Sequence, residues 1–298
     1  MKKVILVLAL LSICSCTILS GPQFNINLHL NNFEGSSKTE VITPSPEVTL
    51  QPIFTPSPLV NLETTTGSDS SLVRQGPGKV YVPILLYHHI TNGTPTNAYS
   101  VSQEIFRDQM EYLFKNGFKT ISMTDLLHSI QNGADLPQKP VIITFDDGNE
   151  NVYFNAFPIM REKGFTGIAL IIANRINVDG FLSIEQLHSM HDRGWEIGSH
   201  GMRHVDLVKE PQALRDEIGN SKKIIESILD MEISIFAYPY GKADSLTMDW
   251  VKRIGYRSAL GLGISNGHVA GNLFYLQRRE VKNDYSLVKF AQLLENEK

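Results

Sequence analysis

The chain has 298 residues, 42% hydrophobic and 19% charged, with a formal net charge of −4. That balance is globular. It excludes disorder throughout, a collagen-like fibre and a nucleic-acid binder that works through bulk positive charge. The first 79 residues balance five basic against five acidic side chains, so the whole −4 belongs to residues 80–298.

Lys2 and Lys3 open the chain, and Val4 to Leu11 follow as an unbroken apolar run. That run is shorter than the ~20 apolar residues a spanning helix needs, and small polar residues succeed it. Both cysteines, Cys14 and Cys16, lie here, so nothing downstream can form a disulfide. Ile13-Cys14-Ser15-Cys16 resembles a bacterial lipoprotein signal, in which a small residue precedes the lipid-modified Cys. Ser15 suits Cys16 better than Ile13 suits Cys14. An ordinary cleaved signal with incidental cysteines is the alternative. The expectation is a signal over residues 1–16, and export with a lipid anchor on the outer face of the cytoplasmic membrane or the cell surface.

From residue 17 to 79 the composition shifts. Seven of the 14 prolines fall here, interleaved with Ser and Thr, and the apolar residues are scattered. No face could bury enough surface to offset its ordering entropy, so the segment reads as a linker. As a flexible chain it would reach on the order of 45 Å.

Residues 80–298 alternate strand and helix patterns. Strand character falls on 81–87, 141–145, 167–172, 195–197, 233–238 and 256–262, with helical periods over 102–116, 124–131, 151–163, 184–193, 210–229 and 246–254. Four of these helices run into a glycine, the usual left-handed stop. Short buried strands alternating with helices predict parallel β/α units, closed as a barrel or doubly wound, in one domain over 80–298.

The sharpest chemical signal is Thr144-Phe145-Asp146-Asp147-Gly148, directly after the apolar strand Val141-Ile142-Ile143. In parallel α/β folds the carboxyl ends of strands line the site. Two adjacent carboxylates there repel each other unless a cation or shared proton offsets the cost. A solvated Asp-Asp-Gly turn is the plain alternative. The second signal is Ser199-His200-Gly201-Met202-Arg203-His204, again after a strand. Two imidazoles and one carboxylate make a three-ligand set with open positions, the pattern of a catalytic metal.

These two motifs resemble the first two signatures of the polysaccharide deacetylases (carbohydrate esterase family 4), and the likeness runs from about Val80 to the C-terminus. The resemblance implies a distorted (β/α) barrel of about seven strands. It also implies a metal-dependent hydrolase that removes acetyl groups from glycans, with acetylated polysaccharide as partner. By it, Asp147, His200 and His204 are the metal ligands and Asp146 the catalytic base. The ion is one divalent metal, Zn by expectation, with Co, Ni, Mn or Fe accepted by the same donors. Tyr240, in Ala237-Tyr238-Pro239-Tyr240-Gly241, matches the third signature and would supply a backbone N–H to the oxyanion.

The chain departs from the family pattern twice. Ala237 stands where many members carry the arginine that orients the base, and Arg278 or Arg279 is the candidate substitute. The C-terminal Leu-x-His signature is missing, but Leu86-Tyr87-His88 at the end of the first strand matches it. That placement resembles the circularly permuted subgroup that includes poly-N-acetylglucosamine deacetylases. His88 is then the general acid, and His89 points to the other side of the strand with a structural role. The function expected is N-deacetylation of a polysaccharide containing N-acetylglucosamine, in the cell wall or as exopolysaccharide. An O-acetyl xylan esterase and a non-catalytic glycan-binding lipoprotein are the rivals. Phe154, Phe157 and Met160 share a helical face and read as core.

Overall fold

The structure, a computed structural model, describes residues 72–295. The expected signal over 1–16, with Cys14 and Cys16, lies outside the described residues, as does the expected linker up to residue 71. Seven parallel strands close into a ring in chain order: Ile84–Tyr87, Pro140–Phe145, Ile168–Ile171, Glu196–Ser199, Ile235–Ala237, Ser258–Leu262 and Leu276–Glu280. The first strand closes it, pairing Ile84 with Ile142 on one side and Leu85 with Arg279 on the other. The barrel of about seven strands is therefore as expected. Most helices surround it, whereas Met123–Asn132 adds buried Met123, Leu126, Leu127 and Ile130 to the apolar cluster that holds Ile84 and Ile142.

Period-two alternation decides which side chains face inward. Ile84, Ile142, Ile168, Leu170, Ile235, Leu260 and Leu276 share one cluster, inside the ring. Their neighbours Leu85, Ile143, Phe145, Ala169, Phe236 and Ala259 join a second cluster with the helices. Extending the inward phase to the strands' carboxyl ends gives His88, Asp146, His200, Arg278 and Glu280. The barrel's alternation alone thus aims five polar side chains at one mouth. Gly198 lies in that inward phase, where a Cβ would meet Leu170 Cδ2 at 2.8 Å and the Ile235 carbonyl oxygen at 2.9 Å.

Three features differ from the sequence expectation. Leu72–Gln75 lies in the segment expected to be linker, yet it pairs antiparallel with Ala134–Pro137, and the Ser129 hydroxyl donates to the Gln75 carbonyl at 3.0 Å. A four-residue strand with two exposed apolar residues has no periodicity to show. Its partner lies some sixty residues away. Leu276–Glu280 is the seventh ring strand; it is absent from the apolar strand runs because Gln277, Arg278, Arg279 and Glu280 mask it. The helices expected over 151–163 and 210–229 each contain a π-helical turn ahead of the α-helix, Val152–Ala156 and Arg215–Asn220, the second preceded by the 3-10 turn Pro211–Ala213. Pro158 lacks the N–H that an α-helix would direct at the Phe154 carbonyl, and the N–H of Phe157 bonds five residues back to Val152. Phe154 accordingly turns out to solvent, at 57% exposure, while Phe157 and Met160 are core.

His268 is buried, with Nε2 2.9 Å from the Val82 carbonyl oxygen. Burial lowers its pKa, and the bond to Val82 only partly opposes this. The folded state therefore binds this proton less readily than the unfolded chain. The resulting stability is complete above the unfolded value, about 6.5, and is lost as pH falls from there toward the folded-state pKa. Denaturant unfolding from pH 8 to 5 should show stability declining below about 6.5, with a shallower decline in His268→Gln. Equal slopes would remove His268 from the account.

Candidate active site

Asp146 follows the Pro140–Phe145 strand, and its N–H donates to the Tyr87 carbonyl at 2.9 Å. Its carboxylate is 2% exposed and is gripped by Arg278, with Nη1 to Oδ1 at 2.6 Å and Nη2 to Oδ2 at 2.8 Å. This two-point fork is the strongest geometry open to a carboxylate and a guanidinium. Arg278 is equally buried, and its other N–H groups reach the Gly261 carbonyl oxygen and the Thr144 hydroxyl, each at 3.2 Å. Burial alone would raise the Asp146 pKa. The Arg278 charge, helped by His200 and His88, more than offsets it and holds the carboxyl well below the usual carboxylate range. Arg279 points elsewhere, donating to the Ile264 carbonyl. Of the two candidate arginines, the structure places Arg278 on Asp146.

Asp147, one residue on, adopts φ +72°, a left-handed conformation. Its Oδ1 lies 3.7 Å from Nε2 of both His200 and His204. His200 is buried, and its Nδ1 donates to the Ala237 carbonyl oxygen at 2.9 Å. That bond fixes the tautomer and leaves the Nε2 lone pair facing both carboxylates, 3.5 Å from Asp146 Oδ2 and 3.7 Å from Asp147 Oδ1. Burial lowers the His200 pKa against the pull of Asp146 and Asp147, which favours the neutral, ligating imidazole. His204 sits at φ +66°, and its ring centroid lies 4.7 Å from that of His200. Asp147, His200 and His204 offer three ligand atoms within 4.8 Å of one another. Two neutral nitrogens and one carboxylate oxygen at this spacing suit a divalent cation and leave positions for water and substrate.

The cavity in front of these groups has a volume of about 260 Å³ and is lined also by His88, Tyr99, Tyr240, Leu262 and Glu280. The His88 ring lies 5.0 Å from that of Tyr99. Tyr240 adopts φ +59° and is 55% exposed, with its ring 4.6 Å from His204. The structure thus brings all six expected site residues, Asp146, Asp147, His200, His204, His88 and Tyr240, to one mouth. His89 is outside that lining, with Nδ1 3.1 Å from Asn151 Nδ2. Glu280 was missed by sequence reasoning. Its signal was the period-two series Leu276, Arg278, Glu280, legible only once 276–280 is known to be a strand.

A parallel β/α barrel with this cluster at its carboxyl mouth is a hydrolase-type site. Residues 133–259 match the family model described as polysaccharide deacetylase, a stretch holding five of the six residues but neither His88 nor Arg278. The Bacillus subtilis (strain 168) protein YxkH, named for the same family, is 28% identical over 220 residues, covering 73% of this chain and 77% of that one. Poly-beta-1,6-N-acetyl-D-glucosamine N-deacetylase of Staphylococcus aureus (strain MRSA252) is 25% identical over 201 residues, 62% of this chain and 69% of its own. The solved structure of BA0330 from Bacillus anthracis superposes with a TM-score of 0.64 at 26% identity, covering 73% of this chain and 70% of that one. The family model, these relatives and the superposed structure all point to a polysaccharide deacetylase domain.

Arg278→Gln would leave Asp146 buried without its partner. Unfolding by denaturant should show a loss of about 3–5 kcal/mol, the cost of stranding one member of a buried ion pair. A loss below about 1 kcal/mol would mean that the fork is energetically idle.

Proposed function

We propose that this chain hydrolyses N-acetyl groups on a polysaccharide containing N-acetylglucosamine, with Asp147, His200 and His204 holding one divalent metal ion. The observation that carries the reading is a carboxylate locked by an arginine fork, one residue from a second carboxylate that shares a 3.7 Å reach with two imidazoles. The likeness to the staphylococcal N-deacetylase supports the amide-linked substrate. A bound cation, Zn²⁺ by preference, with Co²⁺, Ni²⁺, Mn²⁺ or Fe²⁺ accepted by the same donors, supplies Lewis-acid polarisation of the acetyl carbonyl and of the attacking water.

The chain's own groups do the rest. Arg278 keeps Asp146 ionised and fixed in position, so Asp146 takes the proton of the attacking water. A carboxylate held at low pKa also gives that proton up readily, which resets the site. His88, lining the same cavity, donates to the departing amine, which cannot leave as an anion. The Tyr240 backbone N–H would serve the developing oxyanion, a donor worth roughly 10²–10³ in rate. Tyr99 and Leu262 wall the cavity and limit water.

Acetate release from acetylated N-acetylglucosamine oligomers should be abolished by a chelator and restored by metal. His88→Ala should lower amide cleavage by roughly 10²–10⁴ while sparing an aryl acetate ester, whose leaving group needs no acid. Equal losses on both substrates would remove His88 as the acid.

We further propose that residues 1–16 direct export, that lipid on Cys16 anchors the chain, and that residues 17–71 tether the catalytic unit within reach of surface glycan. Cys16→Ala should move the protein from the membrane fraction to the medium. Retention in the membrane would point to Cys14 or to another anchor.

A further inference from the structure

Glu217 is a carboxylate in the π-helical turn Arg215–Asn220, and it is fully buried. The mechanism above makes no use of it. A buried carboxylate is costly unless it is paired and hydrogen-bonded. One of its oxygens, Oε2, is aimed at the turn between His200 and His204, while Oε1 accepts no hydrogen bond and is met only by the charge of Arg203. Its Oε2 accepts the N–H of Met202 at 2.8 Å and of Arg203 at 3.0 Å. Its Oε1 lies 3.1 Å from Nη2 of Arg203, whose Nη1 also meets Asp216 at 2.6 Å.

Three more backbone groups of the turn are held from fixed elements. Gly201 N–H donates to the Ser199 hydroxyl at 3.2 Å, and Ser199 lies 2.9 Å from the Ser221 hydroxyl, one helical turn past Glu217. The carbonyls of Gly201 and Met202 accept from Ala173 and Asn174 at 3.0 and 3.2 Å. Gly201 sits at φ +88°, and a Cβ there would lie 2.8 Å from Glu217 Oε2. Close approach of the carboxylate therefore requires glycine between the two imidazoles. His204 is left at φ +66°, a conformation costing of order 1–3 kcal/mol that persists only where its surroundings over-determine it.

We infer that Glu217 is a positioning residue for the metal site: it sets the Gly201–Arg203 turn so that His200 and His204 present Nε2 to one point before any ion binds. It also partners the positive charge of Arg203, which stands between the two ligands. The inference rests on Asp147, His200 and His204 being the ligand set. The π-turn supplies the aim, since the N–H of Ser221 bonds five residues back to Asp216 and the Ser221 hydroxyl takes the Glu217 carbonyl.

Two variants and one measurement on the native chain test this. Glu217→Gln keeps an oxygen for both N–H groups, whereas Glu217→Asp withdraws it by one methylene. Zn²⁺ affinity, read by competition with a chromophoric chelator, should stay within about threefold in Glu217→Gln and weaken about 10- to 100-fold in Glu217→Asp. Both metal-free variants should remain folded, the Asp variant melting lower because two buried N–H groups lose their acceptor, and the Co²⁺-loaded absorption spectrum should change only in the Asp variant. Unaltered affinity and spectrum in Glu217→Asp would overturn the proposal. Amide hydrogen exchange on metal-free native protein decides it even if neither variant folds. Met202 and Arg203 should already be protected, and protection that appears only after metal is added would mean that the ion, not Glu217, orders the turn. A native chain that binds no Zn²⁺ would sink the ligand assignment instead, while the exchange result would still report on Glu217.

Discussion

Asp146 and Arg278 meet in a fork closed to water, 132 residues apart in the chain. Each would be costly alone in that interior. Together they hold a charge in place at the point where the barrel opens. The pair constrains the fold as well as the site. Its two strands flank Ile84–Tyr87 on either side, so the fork forms only when the first strand closes the ring. Thr144 and Gly261 take further guanidinium N–H groups, which leaves Arg278 little freedom to rotate away. Ala237 stands where the resemblance leads one to expect the arginine that orients the base. A side chain from a different strand reaches the same carboxylate.

Around that fixed charge, the site is assembled from strand ends held in unusual conformations. Asp147, His204 and Tyr240 all adopt positive φ without being glycine. A regular strand would send adjacent residues to opposite faces. Asp146 and Asp147 instead serve the same mouth because the backbone turns over between them. Left-handed residues at such turns store strain, and the surrounding hydrogen bonds hold it. The Ala237 carbonyl on His200 and the Glu217 carboxylate on the 201–203 turn are part of that support.

The supporting groups share a structural origin. Both long helices that follow the chemical motifs contain π-helical turns ahead of the α-helix. One brings Asn151 and Asn155 against the His89–Ile90 backbone and side chain, the other brings Glu217 under the imidazole loop. A wider turn shifts the angular register of the helix, so a polar residue can point at the barrel while the apolar stripe farther along still packs. The cost appears on the surface, where Phe154 is left facing solvent.

Much of this protein is legible in the linear chain. Apolar runs, helix-stopping glycines and the two motifs sufficed to predict parallel β/α units and to single out Asp146, Asp147, His200 and His204, because those signals are local. The family resemblance added His88 and Tyr240 and the count of about seven strands. Tertiary structure decided everything that depends on who lies next to whom. It chose Arg278 over Arg279, since alternation on a polar strand turns one inward and the other out. It recruited Leu72–Gln75 through backbone pairing that composition does not record. It gave Glu217 a task that no spacing could announce, because a carboxylate seventeen residues from His200 comes near it only once strand and helix have packed.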